Sequence, residues 1–157
     1  IDDGCRRILC LRSNSRMRMP ANKRTDAYLD VVEQAGLSAL VREVEFVKPD
    51  DEKGAVVAKI LDENPDIDGI FAGDDTMAAI CLNVMKQRGL SAPDDIKVVG
   101  ADGARRTMTF MPDLTTVHQD IDRIGELAAQ SIIALINGDK PESNIKLPVE
   151  LIEGKTA

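Results

Sequence analysis

The sequence predicts an α/β fold in which a parallel sheet lies between two layers of helices. Strand-like and helix-like patterns alternate along the 157 residues, and connections of about two to six residues separate them, which is typical of a three-layer, doubly wound sheet. The composition is 43% hydrophobic and 30% charged, as in folded globular chains. Aromatic residues make up only 3%, so the predicted core is aliphatic. No apolar run approaches the roughly 18 residues that a membrane-spanning helix requires.

The first half of the chain contains three strand patterns and two helix patterns. Residues 8–11 form the short apolar run of a buried strand. Apolar residues at three- and four-residue steps predict a helix that begins at Pro20 and ends at Gly36. The remaining patterns are a strand over 40–47, a helix over 50–63 that starts with three carboxylates, and a strand over 68–72.

The second half continues the alternation. A helix over 76–88 ends at Gly89, and a strand over 96–100 follows it. Residues 102–113 contain Pro112 and are predicted to be irregular. The remaining patterns are a strand over 114–118, an amphipathic helix over 120–137 and a closing strand over 145–152.

The helices over 76–88 and 120–137 are too apolar for a simple surface position. Apolar side chains surround nearly the full circumference of residues 77–85, and such a helix must be covered on more than one side. Tight packing within one domain explains this pattern, and so does contact with a second chain. For the 76–88 helix we favour a surface for self-association.

Charge and cysteine content exclude several classes of protein. The net charge of −7 argues against broad affinity for nucleic acid or for an anionic membrane. The basic residues of the 1–24 segment fit a solvated loop after a strand, or an arginine cluster that recognises anions or hydroxyls. Three cysteines without paired spacing fit neither a disulfide framework nor a zinc site. We therefore predict a cytoplasmic protein without a metal.

No motif in the sequence points to catalysis. The single histidine, His118, has no nucleophile at a recognised spacing, and no glycine-rich phosphate loop occurs. The sequence therefore predicts neither an enzyme nor a bound cofactor. Two alternatives stay open: a receiver-type module phosphorylated on Asp75 or Asp102, and an enzyme that hydrolyses or isomerises sugars.

Polar side chains follow the predicted strands, where a parallel sheet collects its ligands. Glycine followed by carboxylates occurs at 73–75, and Asp102 lies two residues after Gly100. A rim of carboxylates, guanidinium groups and an amide suits a neutral polyol, because vicinal hydroxyls both donate and accept hydrogen bonds. The alternative roles for Asp74 and Asp102 are a helix cap and a turn former.

Several short motifs along the chain are informative as a set, because of the order and the spacing in which they occur. They include Gly73-Asp74-Asp75-Thr76-Met77-Ala78, Val98-Val99-Gly100-Ala101-Asp102 and Thr115-Thr116-Val117-His118-Gln119. Together they resemble the lactose-repressor/galactose-repressor (LacI/GalR) family of transcription regulators. The resemblance covers nearly the whole chain and implies a lobe like that of the type I periplasmic sugar-binding proteins.

The resemblance also implies roles for individual residues. The residues implied to bind ligand are Arg18, Arg24, Asp75, Asp102 and Gln119, with Phe46 as a candidate stacking aromatic. The residues implied to lie at the interface of a homodimer are Met77, Ile80, Cys81, Val84, Met108 and Phe110.

The domain organisation implied by the resemblance has two lobes that close on a small effector, most simply a sugar. Residues 1–119 and 143–157 correspond to the second lobe, and residues 120–142 to a crossover helix of the first lobe. Because the chain begins at Ile1 in mid-pattern, we expect the rest of that lobe and the headpiece that binds operator DNA to lie outside it. A periplasmic sugar-binding protein of a transport system is the alternative function.

Overall fold

The computed structural model describes residues 1–14 and 21–157 of the chain, and within them strands and helices alternate. The strands are β1 (Ile8–Asn14), β2 (Leu40–Glu45), β3 (Gly69–Ala72), β4 (Lys97–Asp102), β5 (Thr115–Gln119) and β6 (Val149–Ile152). The helices are α1 (Ala21–Gln34), α2 (Asp50–Glu63), α3 (Asp75–Gln87), α4 (Arg105–Phe110) and α5 (Ile121–Ile136). The predicted alternation is confirmed, and the segment over 105–110 that was predicted to be irregular is the short helix α4. The predicted start of the first helix at Pro20 lies outside the described residues.

The strands form one sheet in the order β2-β1-β3-β4-β5-β6. Strands β1 to β5 are parallel, as predicted. Strand β6 is antiparallel to β5, with Val149 opposite Gln119 and Ile152 opposite Thr116. The closing strand is the exception to the predicted parallel sheet, because the chain returns after α5 to the carboxyl end of β5.

Helices cover both faces of the sheet, which confirms the three-layer architecture. The larger apolar cluster joins α2 and α3 to one face and includes Leu9, Leu11, Val57, Ile70, Met77 and Val98. On the opposite face, Tyr28 and Val32 of α1 pack with Cys10. Because successive side chains of a strand point to opposite faces, Leu9 and Cys10 enter different clusters.

Helix α3 owes its all-round apolar character to packing within this chain. Met77, Cys81 and Val84 expose 4% of their surface or less, and Ile80 exposes 9%. The expectation that these four side chains lie on a dimer surface is corrected, because they belong to the main apolar cluster. Of the two predicted interface residues on α4, Met108 is half-buried and Phe110 is exposed.

Helix α5 differs from the other long helices because none of its residues is buried. Ile132, Leu135 and Ile136 are exposed on it. The chain then returns through β6 and a carboxyl-terminal tail that is fixed to the sheet by Thr156. The Thr156 hydroxyl donates to the carbonyl of Val98 and accepts from the backbone N–H of Thr115.

None of the helices within the described part of the chain has the length and apolar character needed to cross a membrane.

Candidate functional site

The strand order reverses at β1, because β2 lies on one side of it and β3 on the other. In sheets of this kind ligands bind at the carboxyl ends of the strands, next to the reversal. Here these ends present Ser13 of β1, Gly73 and Asp74 after β3, Asp102 of β4 and Gln119 of β5. The candidate site is therefore the edge that the sequence predicts.

Three of the predicted ligand-binding residues meet at this edge. The Asp102 Oδ1 atom accepts hydrogen bonds from Arg24 Nη2 at 2.6 Å and from Gln119 Nε2 at 2.8 Å. The Nη1 atom of Arg24 donates to the carbonyl of Gly73 at 2.5 Å. Arg24 comes from α1, its partners Gly73 and Asp102 follow β3 and end β4, and Gln119 ends β5, so residues far apart in the sequence form one polar cluster. We call Arg24, Asp102 and Gln119 the rim cluster.

The backbone presents Asp102 in an unusual conformation. Its φ is 116°, and it is the one non-glycine residue with a positive φ in the described ranges. Gly103 follows with a φ of 59°, and a Cβ there would lie 2.7 Å from the Cα of His118. Positive φ is costly for residues with a Cβ and is retained mainly at functional sites. The turn after β4 is thus held in a conformation that directs the Asp102 side chain towards Arg24.

Asp75 does not belong to the rim. Its side chain is 3% exposed, and its two oxygens accept from the Thr116 hydroxyl at 2.6 Å and from the Gly103 N–H at 2.9 Å. Burial raises the pKa of the Asp75 carboxyl above its ordinary value of 3.8, while these two hydrogen bonds act in the opposite direction. In this structure the sheet and α3 cover Asp75, and its contact with ligand stays a prediction.

Its neighbour Asp74 lies at the edge of the sheet formed by the carboxyl ends of the strands. Asp74 is the N-cap of α3, where one carboxylate oxygen accepts from the N–H of Met77 at 2.8 Å. Its other oxygen lies 3.5 Å from the hydroxyl of Ser13, between the ends of β1 and β3. The helix-cap alternative for Asp74 is therefore correct, and the same carboxylate borders the reversal of strand order. Ser13 was not among the predicted ligand-binding residues.

Phe46, another of the predicted ligand-binding residues, does not join the rim cluster. Phe46 follows β2, three strand spacings or about 14 Å from β4. Its ring is 53% exposed and lies 5.9 Å from the Lys53 ammonium group. Arg18 lies outside the described residues.

A cavity of about 200 Å³ borders the rim cluster. Arg24 and Gln119 supply its polar lining, and the apolar lining is Phe71, Ala101, Val117 and Val149. A polar corner beside an apolar wall suits a small molecule with one hydroxylated face and one face of C–H groups.

The chemistry of the site is that of hydrogen bonding. A carboxylate, a guanidinium and an amide provide acceptors and donors for a hydroxylated ligand. Within residues 1–14 and 21–157, no group of three or more His, Cys, Asp or Glu side chains is placed to hold a metal ion. His118 is engaged with the backbone, since its Nδ1 atom lies 2.9 Å from the carbonyl oxygen of Gly103.

The fold and the site define a ligand-binding lobe of the doubly wound α/β type, and comparison with known proteins identifies the family. A family model described as a periplasmic binding protein-like domain matches residues 1–157. The ribose operon repressor of Halalkalibacterium halodurans is 31% identical, over 99% of this chain and 46% of the repressor. The sucrose operon repressor of Lactococcus lactis is 31% identical, over 98% of this chain and 47% of the repressor. The chain thus spans less than half the length of these relatives.

A solved structure shows the same fold. A LacI family transcriptional regulator from Arthrobacter sp. FB24, crystallised in complex with lactose, matches with a TM-score of 0.82 and 26% identity. The match covers 99% of this chain and 58% of that regulator. The chain belongs to the periplasmic binding protein-like domain family, in the form carried by LacI-family regulators, which confirms the resemblance of its motifs.

Proposed function

We propose that this chain is the effector-sensing part of a LacI-type transcriptional repressor, and that the effector is a sugar or a related hydroxyl-rich metabolite. The observation that carries the proposal is the rim cluster. Vicinal hydroxyls of a sugar can donate to Asp102 and accept from Arg24 and Gln119. The relatives named for ribose and sucrose operons, and the regulator crystallised with lactose, support the same chemical class.

The number of hydrogen bonds fits a useful affinity. Hydrogen bonds to charged groups contribute about 1.5–3 kcal/mol each. Three or four of them supply much of the roughly 8 kcal/mol that corresponds to micromolar binding. Arg24 and Gln119 already donate hydrogen bonds to Asp102. An effector that binds these groups has to replace those bonds at least in part.

The proposed mechanism is closure of two lobes on the effector, with residues 120–142 belonging to the first lobe. The exposed apolar side chains of α5, which include Ile132 and Leu135, support this division. Closure changes the affinity for operator DNA, which a headpiece elsewhere in the protein binds, so that the two sites are coupled through two global states.

We also propose that the repressor is a homodimer. Phe110 on α4 is 75% exposed, and an aromatic ring in that position suits contact with a second copy. The contact involves α4 rather than the buried residues of α3.

The relatives also suggest where this protein works in the cell and whether it catalyses a reaction. Because they are transcriptional repressors, we propose a cytoplasmic protein without catalytic activity. A periplasmic sugar-binding protein has the same fold and remains the alternative. The coding sequence upstream of Ile1 discriminates between them, since the proposal requires a helix-turn-helix segment and the alternative requires a signal peptide.

Calorimetric titration of the full-length protein with ribose, sucrose and lactose tests the proposed function. We expect at least one of the three sugars to bind, and Arg24→Ala to weaken that binding tenfold or more while operator binding persists. Arg42→Ala is the matched control, because Arg42 is an exposed arginine of β2 that makes no contact with the rim cluster. Binding of none of the sugars, or equal affinity in Arg24→Ala, would contradict the proposal.

A further inference from the structure

His118, the single histidine of the sequence, contacts the turn that follows β4. Its Nδ1 atom lies 2.9 Å from the carbonyl oxygen of Gly103. Because a carbonyl oxygen can only accept, the Nδ1 atom carries a proton and donates this hydrogen bond. The imidazole ring is thus fixed against the residue that directly follows Asp102 of the rim cluster.

The backbone of Gly103 makes this close approach possible. A Cβ at residue 103 would lie 2.7 Å from the Cα of His118 and 2.9 Å from its Nδ1 atom. A side chain at residue 103 is therefore incompatible with the present position of the histidine. In the register of the sheet, Asp102 of β4 lies opposite His118 of β5, so the histidine is next to both residues of the turn.

The turn that His118 contacts is the strained one. Asp102 has a φ of 116°, and such a conformation persists only when surrounding contacts hold it. Two hydrogen bonds hold Gly103 after it: its N–H donates to the buried Asp75 carboxylate, and its carbonyl accepts from His118. Without the imidazole, the carbonyl side of the turn loses this support.

We propose that His118 is a positioning residue for effector binding. It holds the carbonyl side of the turn after β4, and the turn keeps the Asp102 carboxylate where Arg24 and Gln119 donate to it. Within the described part of the chain, no hydrogen bond joins the imidazole to Arg24 or to the Gln119 amide, so its influence passes through the turn. This inference rests on the proposed function for its biological meaning, but the position of Asp102 can be measured without a ligand.

The side chain of Arg24 reports where Asp102 lies, because its Nη2 group donates to Asp102 Oδ1 at 2.6 Å. Arg24 belongs to α1, so a substitution at residue 118 leaves its covalent surroundings unchanged. In ¹⁵N–¹H spectra of the full-length protein, Asp102→Ala defines the Arg24 side-chain resonance without this partner. We expect His118→Leu to shift the resonance by at least half as much, and to add no shift in an Asp102→Ala background.

Two variants of similar shape separate the hydrogen bond from the space that the ring fills. Leucine and asparagine both branch at Cγ, as histidine does. Asparagine carries an NH₂ donor in the place of Nδ1, whereas leucine carries no donor. His118→Asn should therefore restore the Arg24 resonance of the unmodified protein. Should His118→Leu fail to fold, His118→Ala replaces it, because alanine also lacks a donor and takes less space than histidine.

Thr115→Val is the matched control for loss of stability. Thr115 lies on the same strand, and its Oγ1 atom accepts from the N–H of Gly154 at 3.1 Å. The variant removes this hydrogen bond without touching the turn. It should lower the midpoint of thermal unfolding and leave the Arg24 resonance in place. An equal shift in Thr115→Val would overturn the positioning role, because the resonance would then follow stability.

Sugar affinity supplies an independent arm. With whichever of ribose, sucrose and lactose binds the unmodified protein, His118→Leu should weaken binding about threefold or more, and His118→Asn should not. An unmoved Arg24 resonance in His118→Leu, no recovery in His118→Asn, or unchanged sugar affinity in His118→Leu would overturn the positioning role. If the resonance moves as expected but none of the sugars binds, the proposed function fails and the positioning of Asp102 by His118 stands.

Discussion

Helices α3 and α5 have similar apolar sequences but different surroundings. In α3, Met77, Cys81 and Met85 are at most 2% exposed, and the side chains pack against the sheet and α2. In α5, Leu135 is 62% exposed and Ile136 is 78% exposed. The comparison shows that an apolar pattern around a helix indicates that the helix is covered, but not which part of the protein covers it. For α3 the partner is this lobe, and for α5 we propose the first lobe.

The largest effect in this comparison is expected from shortening a buried side chain of α3. Met85 is 1% exposed, so Met85→Ala leaves a cavity in the main cluster. We expect the free energy of unfolding to fall by about 2–5 kcal/mol. Urea denaturation of the 157-residue chain measures it. A loss close to zero would mean that α3 is not part of the core.

The same type of substitution in α5 should depend on how much of the protein is present. In the 157-residue chain, Leu135→Ala should change the free energy of unfolding by no more than about 0.5 kcal/mol, because the side chain is exposed. In the full-length protein the cost should rise to about 2 kcal/mol or more, because the first lobe would then cover Leu135. Equal values in both proteins would argue against assigning α5 to the first lobe.

Asp75, the first residue of α3, should make the free energy of unfolding depend on pH. Burial raises the pKa of Asp75 above 3.8 in the folded state, so the folded protein binds a proton more tightly than the unfolded chain does. This group therefore lowers stability as pH rises from about 3.8 through its raised folded pKa. We expect the stability of the unmodified chain, relative to Asp75→Asn, to decrease as pH rises across that window. Urea denaturation at pH steps from about 4 to 7 measures this difference, and a relative stability that increased with pH would reverse the sign.

The smallest effect is expected where α5 meets α4. Arg105 and Asp122 form an ion pair in which the side chains are 90% and 80% exposed. Exposed pairs contribute little, since solvent screens them and their side chains lose entropy on pairing. Arg105→Ala should leave the midpoint of urea denaturation unchanged within error. A clear loss would mean that α5 is fixed to this lobe more firmly than its exposure indicates.

The order of strands and helices could be predicted from the sequence because each element has its own periodicity and end signals. Helix α4 was missed, since six residues next to Pro112 are too few to show a period. The antiparallel direction of β6 depends on where the chain returns after α5, and no local pattern encodes it.

The candidate site was predicted in part. Asp102 and Gln119 lie at strand ends, which meet at one edge of a parallel sheet, and the family resemblance implied these two residues together with Arg24. The burial of Asp75 was not predicted, because consecutive residues at a helix start differ by about 100° in direction, and only the fold decides which faces the core. The strain at Asp102 is likewise a property of the folded turn.

The most direct test of the central claim is a crystal structure of the full-length protein with the sugar that binds most tightly among ribose, sucrose and lactose. We expect hydroxyl oxygens of the sugar within about 3 Å of the Asp102 carboxylate and of the Arg24 guanidinium. A sugar bound elsewhere, with the Arg24–Asp102–Gln119 bonds unchanged and no ligand atom against them, would contradict the claim.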